Sequence, residues 1–296
     1  MRNQTRAYLY ALGAILCWST VASAFKLTLE QTGVGELLLI SSWTSLLFLL
    51  LIVLRHRNFG AYAHWERREW LHSAMLGLIN PLLYYLVLFR AYDLLPAQEA
   101  QPLNYTWPIV LVMFSVVFLH QRLRPPAIIA MLLGFSGVIV ISTRGAVTAM
   151  RFDNLEGVLL AVGSSVLWAT YWILNMRSGA EQSMKLTANF LFGALYVTVL
   201  YSILPDKQPI GTYGLLGGIY VGVFEMGLTF VLWLRALKLS KVTAHVSNLV
   251  FLSPFLSLIL IHYVVGEDIY PSTYLGLLLI VAGIAVGTAG KEKRET

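Results

Sequence analysis

Two carboxylates sit inside long apolar runs, where a charge is costly. Glu225 lies in Val223-Phe224-Glu225-Met226-Gly227, and Glu99 stands about one turn into the run 97–119. An ionised carboxylate at the centre of a bilayer costs about 2.5–3.5 kcal/mol on insertion scales. Such a group must face a wet cavity, take up a proton or find a partner. Glu225 therefore reads as a ligand for an ammonium or as a proton-coupling group. The alternative is a structural acid paired with His245 or capped by Ser247 and Asn248. Glu99 reads either as a second amino-group ligand or as an acid that reaches outer water beside Arg90.

Near Glu99 the chain runs Asn104-Tyr105-Thr106-Trp107-Pro108, with Pro102 two residues ahead of the stretch. A proline inside a helical run removes a backbone hydrogen bond and loosens the preceding turn. In lipid, the freed carbonyls are tolerated only beside protein or a wet cavity. Pro102 and Pro108, with Pro254 in a later run, are the expected kinks. Gln98, Gln101 and Asn104 or Tyr105 recur at helical spacing and form a polar stripe, which faces a lumen or a neighbouring helix. Trp18, Tyr84, Tyr85, Trp107, Trp168 and Tyr171 are not all at the run ends, and Trp18 and Trp168 fall near mid-span. Ser164, Trp168 and Tyr171 share one helical face. Such rings line a cavity for an apolar, aromatic or cationic group, or pack as ordinary core. Asn80 occupies the position in the first part of the chain that Glu225 holds in the second. His245 and Asn248 complete the binding candidates. His56, His64 and His72 are expected in exposed loops without metal-ligand spacing, so no metal and no cofactor is expected.

These residues sit in a membrane protein. Hydrophobic residues make up 57% of the 296 and charged residues 12%, against about 25% charged in a soluble domain. Mean hydropathy is +0.70. The runs are near helix-spanning length and lack strict alternation, which excludes a barrel. Ten spans are expected, at 7–26, 35–54, 70–90, 97–119, 126–143, 155–175, 185–204, 212–235, 242–264 and 270–288, joined by short loops. Sixteen of the 21 Lys and Arg fall on one side of this arrangement, and Lys26, Arg90, Arg144, Arg151 and Lys207 fall on the other. The positive-inside rule then puts both termini in the cytoplasm. The net charge of +6 belongs to these loops and not to a nucleic-acid surface. The single cysteine, Cys17, rules out a disulfide framework.

The chain repeats itself at an offset near 145–150 residues. Leu16-Cys17-Trp18-Ser19-Thr20 resembles Leu167-Trp168-Ala169-Thr170, and Phe89-Arg90-Ala91 resembles Leu234-Arg235-Ala236. Pro108 falls on Pro254, and Gly137 on Gly283. Two five-helix halves are expected, 1–148 and 149–296. An odd number of spans per half makes the second half inverted. Inverted repeats place a site near the midplane at the interface between the halves.

Ten spans with inverted halves resemble the drug/metabolite transporter superfamily, EamA type. Cys17-Trp18-Ser19-Thr20, Glu99, Asn104-Tyr105 with Trp107-Pro108, and Trp168-Ala169-Thr170-Tyr171 resemble its aromatic amino-acid exporter (YddG-like) group. The resemblance implies a basket-shaped fold. Its central cavity would be lined by the third, fourth, eighth and ninth helices with parts of the first and sixth. It also implies export of amino acids or related metabolites by a multi-pass protein of a bacterial inner membrane. A multidrug exporter, or an exporter of another metabolite such as a nucleoside or a cationic drug, is the rival reading. An integral-membrane enzyme has no HExxH, GxSxG or paired-carboxylate pattern behind it. A channel lacks a filter sequence. The expected partners are a small-molecule substrate, membrane lipid and, as a coupling ion, a proton. Because one chain carries both halves, a monomer should suffice.

Overall fold

The computed structural model describes residues 2–55, 59–107, 109–110, 113–114, 125–149, 153–176, 182–240 and 248–292. Every regular element among them is helical, as a backbone surrounded by lipid requires. In chain order they are α1 (Arg2–Leu29), α2 (Val34–Arg55), α3 (Arg67–Leu94), α4 (Ala97–Asn104), α5 (Pro125–Ser142), α6 (Leu155–Met176), α7 (Gln182–Ile203), α8 (Thr212–Leu239), α9 (Leu252–Val265) and α10 (Pro271–Glu292). Helices α1, α2, α3, α6, α7 and α8 are long and apolar enough to cross a bilayer, and shorter apolar stretches cover Met131–Ser142, Leu252–Val265 and Pro271–Val286. The outward side chains are those lipid favours: Leu47, Leu51, Leu132, Phe135, Leu159 and Val199 are exposed.

Close approach of helices depends on glycine. A Cβ on Gly222 of α8 would lie 2.6 Å from the Ser41 carbonyl and 2.6 Å from Thr44 of α2. A Cβ on Gly137 of α5 would lie 2.5 Å from the Gly276 carbonyl of α10. Small residues let membrane helices gain van der Waals contact where no hydrophobic drive exists between them. Helix α1 lies along α8 and α9. The first half of α3 packs on α7, and its second half packs on α6, as α4 also does.

Three helices change pitch part-way. Wider π turns occupy Leu78–Leu83 in α3, Val221–Leu228 in α8 and Ile261–Val265 in α9. In α3 the cause is Pro81, which has no N–H and disfavours the helical region for the residue before it. Asn80 accordingly adopts φ −144° and ψ 118°, and its peptide bond to Pro81 is cis. In α8 the Thr229 hydroxyl donates to the Phe224 carbonyl, five residues back. That bond takes up an acceptor at the end of the wide turn.

The three prolines expected at kinks sit in different settings. Helix α4 runs through Pro102 and ends at Asn104, with Tyr105 leaving the helix at ψ 6°. Pro254 lies in the first turn of α9, where a missing N–H costs nothing, after a 3₁₀ turn over Asn248–Phe251. Pro108 and His245 lie outside the described residues, as do His56 and Ser247. His72 is in α3, half-buried, and not in a loop. Helix α3 also runs past its expected limits of 70 and 90, because Glu66 and Glu69 form a capping box at its start and Arg90 pairs with Asp93 at its end.

Candidate functional site

The wide turns of α3 and α8 each present a buried polar residue. Asn80 is 0% exposed, and neither polar atom of its amide has a hydrogen-bond partner among the described residues. Glu225 is 4% exposed. Its Oε1 accepts a hydrogen bond of 3.0 Å from the Tyr85 hydroxyl, and its Oε2 has no hydrogen-bond partner among the described residues. The Trp18 indole approaches the same carboxylate from α1, and Trp18 also meets Trp233 edge-on at 5.3 Å. The Tyr85–Glu225 bond thus joins α3 directly to α8. Wider turns recur at functional sites because they turn side chains out of the regular helical array.

One residue along, Tyr84 points into an aromatic group. Its ring centroid is 4.7 Å from Trp168 and 4.7 Å from Tyr85. Trp168 continues to Tyr171, stacked at 6.3 Å, and to Phe230, edge-on at 5.5 Å. The Tyr171 hydroxyl accepts from Asn189 Nδ2 at 3.1 Å. Asn104 binds the polar edge of this group. Its Nδ2 donates to Ser164 Oγ at 2.8 Å, and Tyr84 approaches its Oδ1 at 3.5 Å. Thr106 donates to the Leu103 carbonyl and contacts Ser165 at 3.1 Å. Gln101 is buried, with Oε1 unpartnered. Tyr105 approaches Ser253 at the start of α9, and Trp107 is half-buried against the core.

The arrangement is one of aromatic faces bordered by unsatisfied acceptors and amides, drawn from α1, α3, α4, α6 and α8. Buried polar atoms are normally paired. Among the described residues the Glu225 Oε2, the Asn80 amide and the Gln101 Oε1 are left unpaired, and such atoms suit a polar guest. The ring faces suit an apolar or aromatic body, or a cation.

The polar stripe of α4 divides. Asn104 joins the region above, whereas Gln98 and Glu99 turn to the opposite end. Glu99 is 2% exposed and pairs with Arg144, Nε to Oε1 at 2.7 Å; its partner is not Arg90, which binds Asp93 and Glu156. Burial alone would lower the Arg144 guanidinium, but the hydrogen bond and charge of Glu99 outweigh it and hold the group above its ordinary value. Of Asn248 only the backbone is described. Reasoning from the sequence named Tyr85 and Ser164 only as possible cavity-lining or core residues, and left Phe230 and Arg144 out of the site. Tyr85 carried a signal, as the second of two adjacent tyrosines just after Pro81. Arg144 carried one as a cation on the side that otherwise collects acids.

The model of the EamA-like transporter family matches the chain twice, over residues 5–143 and 155–288. The aromatic amino acid exporter YddG of Ancylobacter novellus is 28% identical over 294 residues, covering 97% of this chain and 98% of that protein. An uncharacterized transporter of Bacillus subtilis, YvbV, is 27% identical over 77% of this chain and 75% of its own length. The YddG exporter of Salmonella typhimurium is 22% identical over 94% of this chain and 95% of its own. A solved crystal structure superposes with a TM-score of 0.69 at 24% identity, covering 99% of both chains, and shares the fold.

Proposed function

The chain belongs to the EamA-like transporter family of multi-pass inner-membrane proteins, and from that premise we propose that it exports amino acids with aromatic or other apolar side chains, or closely related small metabolites. The ten spans form two inverted halves, 1–148 and 149–296, with both termini in the cytoplasm. The double match of the family model supports the halves, and the charge of the loops supports the orientation. Transport proceeds by rocking the halves about the buried site. The observation that carries the reading is the aromatic group of Tyr84, Trp168, Tyr171 and Phe230, bordered by Asn104 and by the half-satisfied carboxylate of Glu225. Rings take the substrate side chain. Glu225 takes its ammonium, or a coupling proton in exchange. The names of the two exporter relatives point to the same substrate class.

The Glu225 Oε2, which has no partner among the described residues, also favours a second reading, export of an organic cation, because a buried carboxylate beside aromatic rings suits one. Cells expressing the protein distinguish the two. Under the first reading they tolerate toxic analogues of tryptophan and phenylalanine, and Trp168→Ala abolishes the protection. Protection against lipophilic cations alone would replace the amino acid with a cation.

A further inference from the structure

The end of the molecule where α4 starts is held by several bonds between the two expected halves. The carboxylate of Glu267, in the segment between α9 and α10, accepts from the backbone N–H of Ala97 at 2.7 Å and of Gln98 at 3.1 Å. Gln98 returns the contact. Its Nε2 donates to the Asp268 carbonyl at 2.8 Å, and its Oε1 accepts from the Tyr270 N–H at 2.8 Å and from the Thr273 hydroxyl at 3.2 Å. One residue on, Glu99 holds Arg144 at 2.7 Å. Arg144 also pairs with Asp153, ahead of α6, and lies over the Tyr270 ring at 5.0 Å. The stretch from Glu267 to Thr273 and the turn at Arg144 therefore meet on the first turn of α4, and Asp153 joins them through Arg144.

Two features bear on how this junction releases. Arg144 stands at φ +48° just past the end of α5, a common helix-end conformation. It is closed by backbone bonds, Arg144 N–H to the Ile141 carbonyl and Gly145 N–H to the Val140 carbonyl, each at 3.0 Å, so its side chain can leave the ion pairs without unfolding the turn. In addition, a cavity of about 420 Å3 opens beside Arg144, lined among others by Val140, Val147, Tyr270 and Leu275. The guanidinium has room to swing away without displacing packed side chains.

The geometry points to a gate. The Glu99–Arg144–Asp153 ion pairs, with the Gln98 and Glu267 contacts, form a latch that closes the outer end of the transport path. The latch reports on the site because Asn104, which binds Ser164 and approaches Tyr84, lies five residues from Glu99 on the same short helix, about 7.5 Å along its axis at 1.5 Å per residue. Opening the latch lets α4 leave the segment between α9 and α10, and a substrate that rearranges Asn104 biases the same helix. The inference rests on reading the aromatic and polar region as the transport site.

The test is sided labelling of a buried cysteine. Ser164→Cys is placed in a Cys17→Ser background, and a membrane-impermeant thiol reagent is applied from either side of sealed vesicles of known orientation. Glu99→Gln, Arg144→Gln and Gln98→Ala, each added singly, should raise labelling from the outer side by about tenfold, within the usual range of conformational coupling, and lower it from the inner side. Asp153→Asn, at an exposed carboxylate, should give a smaller change of the same sign, and it serves wherever another variant fails to insert. Unchanged labelling from both sides overturns the latch. Increased labelling from both sides also overturns it, since that reports general loosening. No substrate enters this assay. Failure to transport amino acids with sided labelling intact would remove the substrate reading and keep the gate; the reverse would remove the gate and keep the substrate.

Discussion

Tyr85→Phe isolates the bond on which the link between α3 and α8 depends. The ring is wholly buried, 4.7 Å from Tyr84 and 5.4 Å from Phe89, and phenylalanine keeps that packing. What disappears is one donor to Glu225 Oε1 at 3.0 Å, beside an Oε2 that already has none. Leaving a buried acceptor unsatisfied costs about 1–3 kcal/mol. At about 2–4 °C per kcal/mol for a chain of this order of size, a loss near 2 kcal/mol lowers Tm by about 4–8 °C. The assay is thermal unfolding in one detergent, followed by loss of the monodisperse peak. The control is the same substitution in a Glu225→Met background, where no carboxylate is left to starve. There Tyr85→Phe should be close to neutral, because removing both partners removes the penalty. An equal fall in Tm in both backgrounds would refute the reasoning, since the phenol and the carboxylate would then act independently.

Asn104→Ala and Trp107→Ala should each cut substrate flux while leaving insertion into the membrane intact; full flux in both would remove α4 from the site. Glu225→Gln should flatten the pH dependence of transport, measured as initial flux between pH 5.5 and pH 8, a window taken as roughly that of side-chain switches near neutrality. An unchanged profile with weaker substrate affinity would make Glu225 a ligand and not a coupling group. Gly222→Val places branched carbon against the Ser41 carbonyl and Thr44, and should destabilise the α2–α8 contact by about 1–3 kcal/mol, read as lost yield of monodisperse protein; wild-type yield and Tm would show that the two helices separate without cost.

Most of the architecture was legible because lipid imposes it. Apolar length places helices, and the loop cations place their ends. The departures have local causes that a hydropathy pattern does not express. Asn80-Pro81 reads as a small interruption, yet it widens α3 and buries an asparagine side chain with no partner among the described residues. The wide turn in α8 has no proline at all; the Thr229 hydroxyl bonds the Phe224 carbonyl at its end. Trp168 and Tyr171 were recognisable as a shared face from spacing alone. Tyr84 could not be matched to Trp168, nor Tyr85 to Glu225, because those pairs are about 84 and 140 residues apart and meet only when helices pack. Glu99 illustrates the same limit. Its burial follows from its place in an apolar run, but its choice of Arg144 over the nearer Arg90 depends on a turn held at positive φ.

The central claim is transport of an amino acid through the aromatic site, and uptake into proteoliposomes tests it most directly. Pure protein is reconstituted and labelled tryptophan, phenylalanine, methionine and threonine are supplied with and without an imposed pH gradient. The account predicts saturable uptake of tryptophan or phenylalanine above protein-free liposomes, abolished by Trp168→Ala. No uptake of any amino acid under either condition, by protein that remains monodisperse after reconstitution, would contradict it.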